Sequence, residues 1–198
     1  MCAGQRSVDP ETRHDGTCRP SAGRLAAIRF DHGDAIDDLL EVAARSLQAR
    51  GAKVCGCLQR ETEDPGSCCN ITYLEDVSGG ARRRISQPLG AGSRGCRLDP
   101  RALAVISGLL LTELDSDLDF LVLNRFGKGE SEGQGFRAVI EKAFDKGIPV
   151  LTAVREAYGD AWMRFTDGVA QLLPPEERAV LDWAAAAVDQ TEPNRVPA

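Results

Sequence analysis

DFLVLNRFGKGESE, residues 119–132, decides how the rest of the chain is read. Phe120 to Leu123 is an unbroken apolar run that stops at Asn124 and Arg125. A run of that kind is the pattern of a strand buried on both faces. A glycine-punctuated turn follows and leads into a helix. A buried strand that hands a polar loop to a helix is where open α/β sheets place their binding sites. The loop carries the cations Arg125 and Lys128, the carboxylates Glu130 and Glu132, and the glycines Gly127, Gly129, Gly133 and Gly135. That mixture brings backbone and charge close to something small.

Downstream, Phe136, Val139, Ile140, Ala143 and Phe144 recur at helical spacing and predict an amphipathic helix that Gly147 ends. Residues 148–154 predict a strand, which closes a βαβ unit with the organising strand. A short helix is expected over 157–165 and a short strand over 169–173. Pro174-Pro175-Glu176-Glu177 then opens a last helix that carries Trp183. Upstream, Asp99 suits a helix N-cap and Pro100 its first turn, with Leu103, Ile106, Leu109 and Leu110 as the expected buried face. The glycine- and arginine-rich loop 88–100 precedes that helix. Strands over 70–76 and 81–87, turned by Ser78-Gly79-Gly80, predict a β-hairpin. Residues 59–69 read as a loop.

The chain opens with a strand over 24–30, a helix marked by Ile36, Leu39, Leu40, Ala43 and Leu47, and a strand over 52–58. Those three make another βαβ unit, with its strands parallel. The fold class is therefore α/β: three layers around a mostly parallel sheet, with a β-hairpin insertion that mixes the sheet or forms its edge. Residues 1–23 lack periodicity and read as a disordered tail, 24–188 as a single domain, and 189–198 as a loose C-terminal tail.

The chain has 198 residues, 42% hydrophobic and 27% charged, which suits one soluble domain with a sizeable core. A net charge of −6 argues against nucleic acid, and Arg82-Arg83-Arg84 is too short a basic patch to reverse that. No apolar run approaches the ~20 residues of a membrane span, and the N-terminus has no hydrophobic signal region, so a cytoplasmic protein is expected. Its seven cysteines then read as thiols or ligands rather than disulfides. Whether it forms a homo-oligomer stays open.

Three candidate sites emerge. The first is a small-anion or ligand site, where Asn124, Arg125, Gly127 and Lys128 would meet Ser93, Arg94, Cys96 and Arg97 from the loop before the Asp99 helix; the alternative is two solvated turns with Arg–Glu pairs inside them. The second is a thiol or metal site. Cys55 and Cys57 point to one face of a strand, with Cys68, Cys69 and Cys96 nearby, although the spacing is not that of paired CxxC motifs. A buried strand cysteine is usually a small hydrophobe. Arg94 and Arg97 would lower the pKa of the Cys96 thiol. The third is acid chemistry at Glu130 or Glu132, against a helix N-terminal carboxylate favoured by the dipole. Cys2, His14 and Cys18 fit no metal pattern, and His32 has acids but no second His or Cys beside it. Asp115, Asp117 and Asp119 start like a calcium loop, but Phe120 and Phe126 occupy the positions that need Gly and Glu.

The run Leu121 to Glu130, followed by Phe136 and by Val150-Leu151-Thr152-Ala153-Val154, resembles the P-loop NTPase superfamily, in particular its small nucleoside-triphosphatase branch. The strand Val54-Cys55-Gly56-Cys57 and the hairpin fit the same branch. Ile85 to Gly90, Gly92 to Asp99 and Asn124 to Gly127 resemble, more specifically, the bacterial domain-of-unknown-function family 2478, over roughly residues 24–175. The resemblance implies a P-loop-like fold, and a link to molybdate transport or molybdenum enzymes that would make molybdate or another oxyanion the natural ligand. It also implies that Glu130 matches a site glutamate of the triphosphatases, so an enzyme would use Lys128 and Glu130.

The departures are chemical. A phosphate loop needs GxxxxGK[ST], whose amides, lysine and hydroxyl hold phosphate and Mg²⁺. Residues 31–38 read DHGDAIDD, with four carboxylates, no lysine and no Ser or Thr. The magnesium-holding Asp-Glu pair is replaced by Asn124-Arg125. The expectation is a non-hydrolytic ligand-binding or accessory protein on a degenerate P-loop NTPase-like fold. A divergent nucleoside triphosphatase and a cysteine-based metal protein are the alternatives.

Overall fold

The computed structural model describes residues 23–31, 35–64, 70–87 and 98–190. The expectations for residues 1–22 and 191–198, and for His32, Cys68, Cys69, Ser93, Arg94, Cys96 and Arg97, lie outside the described residues.

Seven strands form one sheet: β1 (Leu25–Phe30), β2 (Val54–Thr62), β3 (Ile71–Asp76), β4 (Arg82–Arg84), β5 (Phe120–Leu123), β6 (Val150–Arg155) and β7 (Gln171–Leu173). Their order is β4-β3-β2-β5-β6-β1-β7. The five strands from β2 to β7 in that order run parallel, and β3 and β4 add antiparallel at one edge. This is the three-layer, mostly parallel α/β architecture expected, with the hairpin at the edge. β1 and β2 are parallel but are not neighbours, since β6 and β5 lie between them. The crossover helix α1 (Ile36–Ala49) therefore spans the middle of the sheet.

Both faces of the sheet are covered. Ile36, Leu40 and Leu47 of α1, with Val180 and Trp183 of α6 (Glu177–Asp189), pack on Ile28, Phe120 and Val122. The Trp183 and Phe120 rings meet edge to face at 5.9 Å. On the other face, Ile106 and Leu110 of α2 (Pro100–Glu113), Val139 and Ile140 of α4 (Arg137–Asp145) and Trp162 of α5 (Gly159–Phe165) cover Leu121, Leu123 and Val154. Each such fully buried side chain contributes about 1.5–3 kcal/mol.

Several boundaries differ from expectation. β2 runs to Thr62, so Gln59 is a strand residue and not a loop residue; the reason is the hairpin, whose β3 pairs with it as far as Thr62↔Ile71. Leu109 and Phe144 are exposed at 49% and 43%, so neither belongs to the buried face expected of its helix. Ile106, Ser107, Leu110 and Leu114 face the core of α2, which puts Leu109 on the far side of a 3.6-residue turn. A one-turn helix, α3 (Lys128–Ser131), occupies the turn after β5. The Asp99 cap forms as expected, its Oδ1 accepting Arg101 N–H at 2.9 Å, with Pro100 in the first turn.

Gly56 on β2 sits opposite Val122 of β5. Its φ is +133°, and a Cβ there would stand 1.8 Å from the Val122 carbonyl oxygen. Glycine inside a strand often signals such a close backbone approach.

Candidate functional site

The loop after β5 begins with a bulge. Val122 pairs with Leu151 and Phe126 bridges Val154, so four steps along β5 match three along β6. The extra residue shifts the side-chain alternation. Leu123 and Phe126 both pack with the α2–α4 layer, whereas Arg125 turns to the α1 layer. Asn124 takes the remaining direction, toward β2, and donates Nδ2–H to Gln59 Oε1 at 3.0 Å.

Beyond the bulge a single carboxylate organises the turn. Glu130 is 9% exposed. Its Oε2 accepts Gly127 N–H at 3.0 Å and its Oε1 accepts Phe136 N–H at 3.1 Å. Gly135 makes room for that clasp: its φ is +62°, and a Cβ would stand 2.1 Å from Glu130 Oε1. Glu130 thus has both oxygens engaged by backbone amides.

Asn124, Arg125, Gly127, Lys128 and Gly129 line one cavity of about 910 Å³. It opens at the C-terminal end of β2 and β5, the end where α/β sheets bind ligands. Leu74, Ile85, Leu103, Leu111 and Phe136 form its apolar wall. Gln87 and Leu98, the described residues on either side of 88–97, also line it. Lys128 is 74% exposed and lies 3.9 Å from Glu132. A smaller cavity of about 340 Å³, lined by Arg24, Asp117 and Lys146, lies at the opposite end of the sheet.

Of the expected ligand residues, Asn124, Arg125, Gly127 and Lys128 share this cavity, and Glu130 and Glu132 line it too. Arg125 is committed at one nitrogen, while its Nε is buried without a partner among the described residues. Its Nη2 bonds Asp37 Oδ2 of α1 at 3.0 Å, and its guanidinium stands 5.6 Å from the Phe30 ring centre. Arg155 stands 5.8 Å from the same ring. Burial pushes the Asp37 carboxyl up from its usual value, against the opposing charge and hydrogen bond of Arg125. Sequence reasoning missed Gln59, Gln134 and the α2 wall. The signal for Gln59 was its place straight after a strand's apolar run.

Cys55 and Cys57 lie on one face of β2, inside the core beneath α2. Burial pushes both thiols up to about 12, with the Glu113 and Asp76 charges adding to the effect at Cys55. They are buried, protonated hydrophobes near neutral pH. Among the described residues, no group of three or more His, Cys, Asp or Glu is placed to hold a metal ion. No helix among the described residues is long and apolar enough to cross a membrane.

A family model described as "Protein of unknown function (DUF2478)" matches residues 25–183. A curated relative from Bradyrhizobium diazoefficiens, named molybdenum import ATP-binding protein ModC 2, is 36% identical over 160 residues. The match covers 81% of this chain and 18% of the relative, so the chain spans under a fifth of that protein. No solved structure matches the chain.

Proposed function

This chain belongs to the DUF2478 family, and from that premise we propose that it is a non-hydrolytic binding or accessory protein for a small anionic ligand, held in the cavity after β2 and β5. The observation that carries the reading is convergence. Asn124, Gly127 and Lys128 are expected binding residues from one short loop, and all three line the cavity of about 910 Å³ at the ligand-binding end of the sheet. The missing phosphate-loop lysine and hydroxyl, and the replacement of the magnesium-holding acids by Asn124-Arg125, support binding without phosphoryl transfer. Glu130 is engaged on both oxygens, which argues against its use as a base. The name of the ModC relative supports a setting in molybdenum handling, with molybdate or a molybdenum species as the anion.

The same name favours a second reading, a divergent nucleoside triphosphatase using Lys128 and Glu130. A thermal-shift screen separates the two. Molybdate, tungstate, sulfate, phosphate, ATP with Mg²⁺ and GTP with Mg²⁺ are tested on wild type and on Lys128→Ala. A ligand bound by the native state alone raises the melting temperature by mass action. An anion-dependent shift lost in Lys128→Ala, with no nucleotide turnover, is the expected result. Turnover of a nucleotide that Lys128→Ala abolishes would put the enzyme reading first.

A further inference from the structure

The arginine run lies where the sheet ends. Arg82, Arg83 and Arg84 are all exposed and make up β4, the last strand on the hairpin side. In an antiparallel ladder, alternate residues turn their N–H and C=O toward the neighbouring strand. Arg83 pairs with Leu74. On either side of it, Ile85 N–H bonds the Thr72 carbonyl at 2.9 Å, and the Ala81 carbonyl accepts Asp76 N–H at 2.9 Å. Residues 81, 83 and 85 therefore face β3. Arg82 and Arg84 turn their backbone groups outward, where they have no hydrogen-bond partner among the described residues. The Ser86↔Leu98 bridge closes the edge beyond Arg84. What stays open is one short register for an added strand.

Charge selects the strand that fits. Glu75 pairs with Arg82 and also stands 3.5 Å from Arg60. Arg84 gives its Nε–H to the Ser86 carbonyl at 2.8 Å, and neither Arg84 nor Arg83 has a carboxylate partner among the described residues. Strand alternation puts Arg82 and Arg84 on one face and Arg83 on the other. An occupant thus meets a cation at each successive position, on a chain whose net charge is −6. Opposite charges directly across a strand pair attract. The ends of this chain do not supply the acid: residues 1–22 hold three carboxylates against three arginines, and 191–198 one against one. A nucleic-acid strand has the charge but not the amide ladder that the outward backbone groups call for. We propose that the β4 edge docks an acidic, extended segment of another protein. The segment adds as a further strand, with its main chain on Arg82 and Arg84 and its carboxylates at the three guanidinium groups.

Fluorescence polarisation on the full chain tests this with labelled, end-capped peptides of about eight residues. One is built of valine and glutamate, with glutamates in succession at its centre. The second has lysine in place of glutamate. The third is the glutamate peptide methylated on every backbone amide, which keeps the charge and removes the ladder. An oligothymidylate of similar length is the remaining probe. The glutamate peptide is expected to bind at least about tenfold more tightly than the other probes. Arg83→Glu/Arg84→Glu leaves the Arg82–Glu75 pair in place and should invert the order, so that the lysine peptide binds better than the glutamate one. If that variant does not fold, the wild-type ranking decides alone. Equal binding of the methylated peptide would mean charge attraction without strand addition and overturns the inference. An oligothymidylate that binds as tightly, an order unchanged in the folded variant, or no binding of the glutamate peptide overturns it too.

Discussion

Two strand-to-helix junctions at the same end of the sheet have taken opposite paths. After β1 the chain enters α1 with Asp37 and Asp38 in its first turn. After β5 it enters α3 through Gly127, with Lys128 at the helix start. At the first junction Asp37 faces Arg125, which reaches across from the second. The second opens onto the cavity, its one buried carboxylate turned inward onto backbone amides. In a phosphate-binding α/β protein the first junction would hold the anion on glycine-rich amides. Here acids stand at that place, and the hollow lies two strands away. The fold supplies several equivalent junctions, and side chains decide which one is a site.

Gly135→Ala breaks the second junction hardest. It combines a positive φ of +62° with a Cβ 2.1 Å from Glu130 Oε1. A loss of roughly 3 kcal/mol or more in urea unfolding is expected, at the high end for a single substitution. A change near zero would mean that the Glu130 clasp does not hold the loop.

Arg125→Ala tests the first junction. Removing one partner of a half-buried pair leaves Asp37 uncompensated, and a loss of about 2 kcal/mol is expected. Adding Asp37→Asn should recover most of it. The pH dependence gives a second readout. The folded-state pKa of Asp37 is raised, so its contribution is fully present below the ordinary value of 3.8 and is lost as pH rises through the raised one. Without Arg125 the carboxyl rises further, so the deficit of Arg125→Ala should grow as pH rises from about 3 to 6. A deficit independent of pH would sever Arg125 from Asp37.

The thiols beside the second junction titrate in the same sense at the alkaline end. Both are raised from 9.0 to about 12, so stability present below 9.0 drains away toward 12. Cys55→Ala/Cys57→Ala should flatten that limb, a difference of about 2 kcal/mol per thiol near pH 10.5. An unchanged limb would mean the thiols reach water.

Lys128→Ala should matter least to stability, within about 0.5 kcal/mol, because its pairing with Glu132 is exposed. Its effect is expected on ligand affinity. A marked drop in stability with no change in binding would shift the site away from the cavity mouth.

Much of this was legible because periodicity is a physical signal. The apolar run at β5, the stripe of α4 and the Asp99-Pro100 start all report burial or an end-group constraint that acts locally. What was not legible depends on partners distant in sequence. Gln59 became strand because a hairpin arrived to pair with it. Asn124 turned toward β2 because one extra residue opposes β6, a fact of register that no single segment contains. Arg125, read as a ligand cation, found Asp37 eighty-eight residues away. Leu109 and Phe144 matched their stripes closely enough to mislead, since each lies at the margin of its helix's apolar stripe rather than at the centre.

The edge strand β4 is Arg82-Arg83-Arg84, all exposed. The open side of β4 would be a template for another strand. A second copy laid antiparallel along it would set arginine opposite arginine, and like charges directly across a strand pair repel. The hairpin that widens the sheet therefore also ends it in an edge whose arginines disfavour pairing with a second copy.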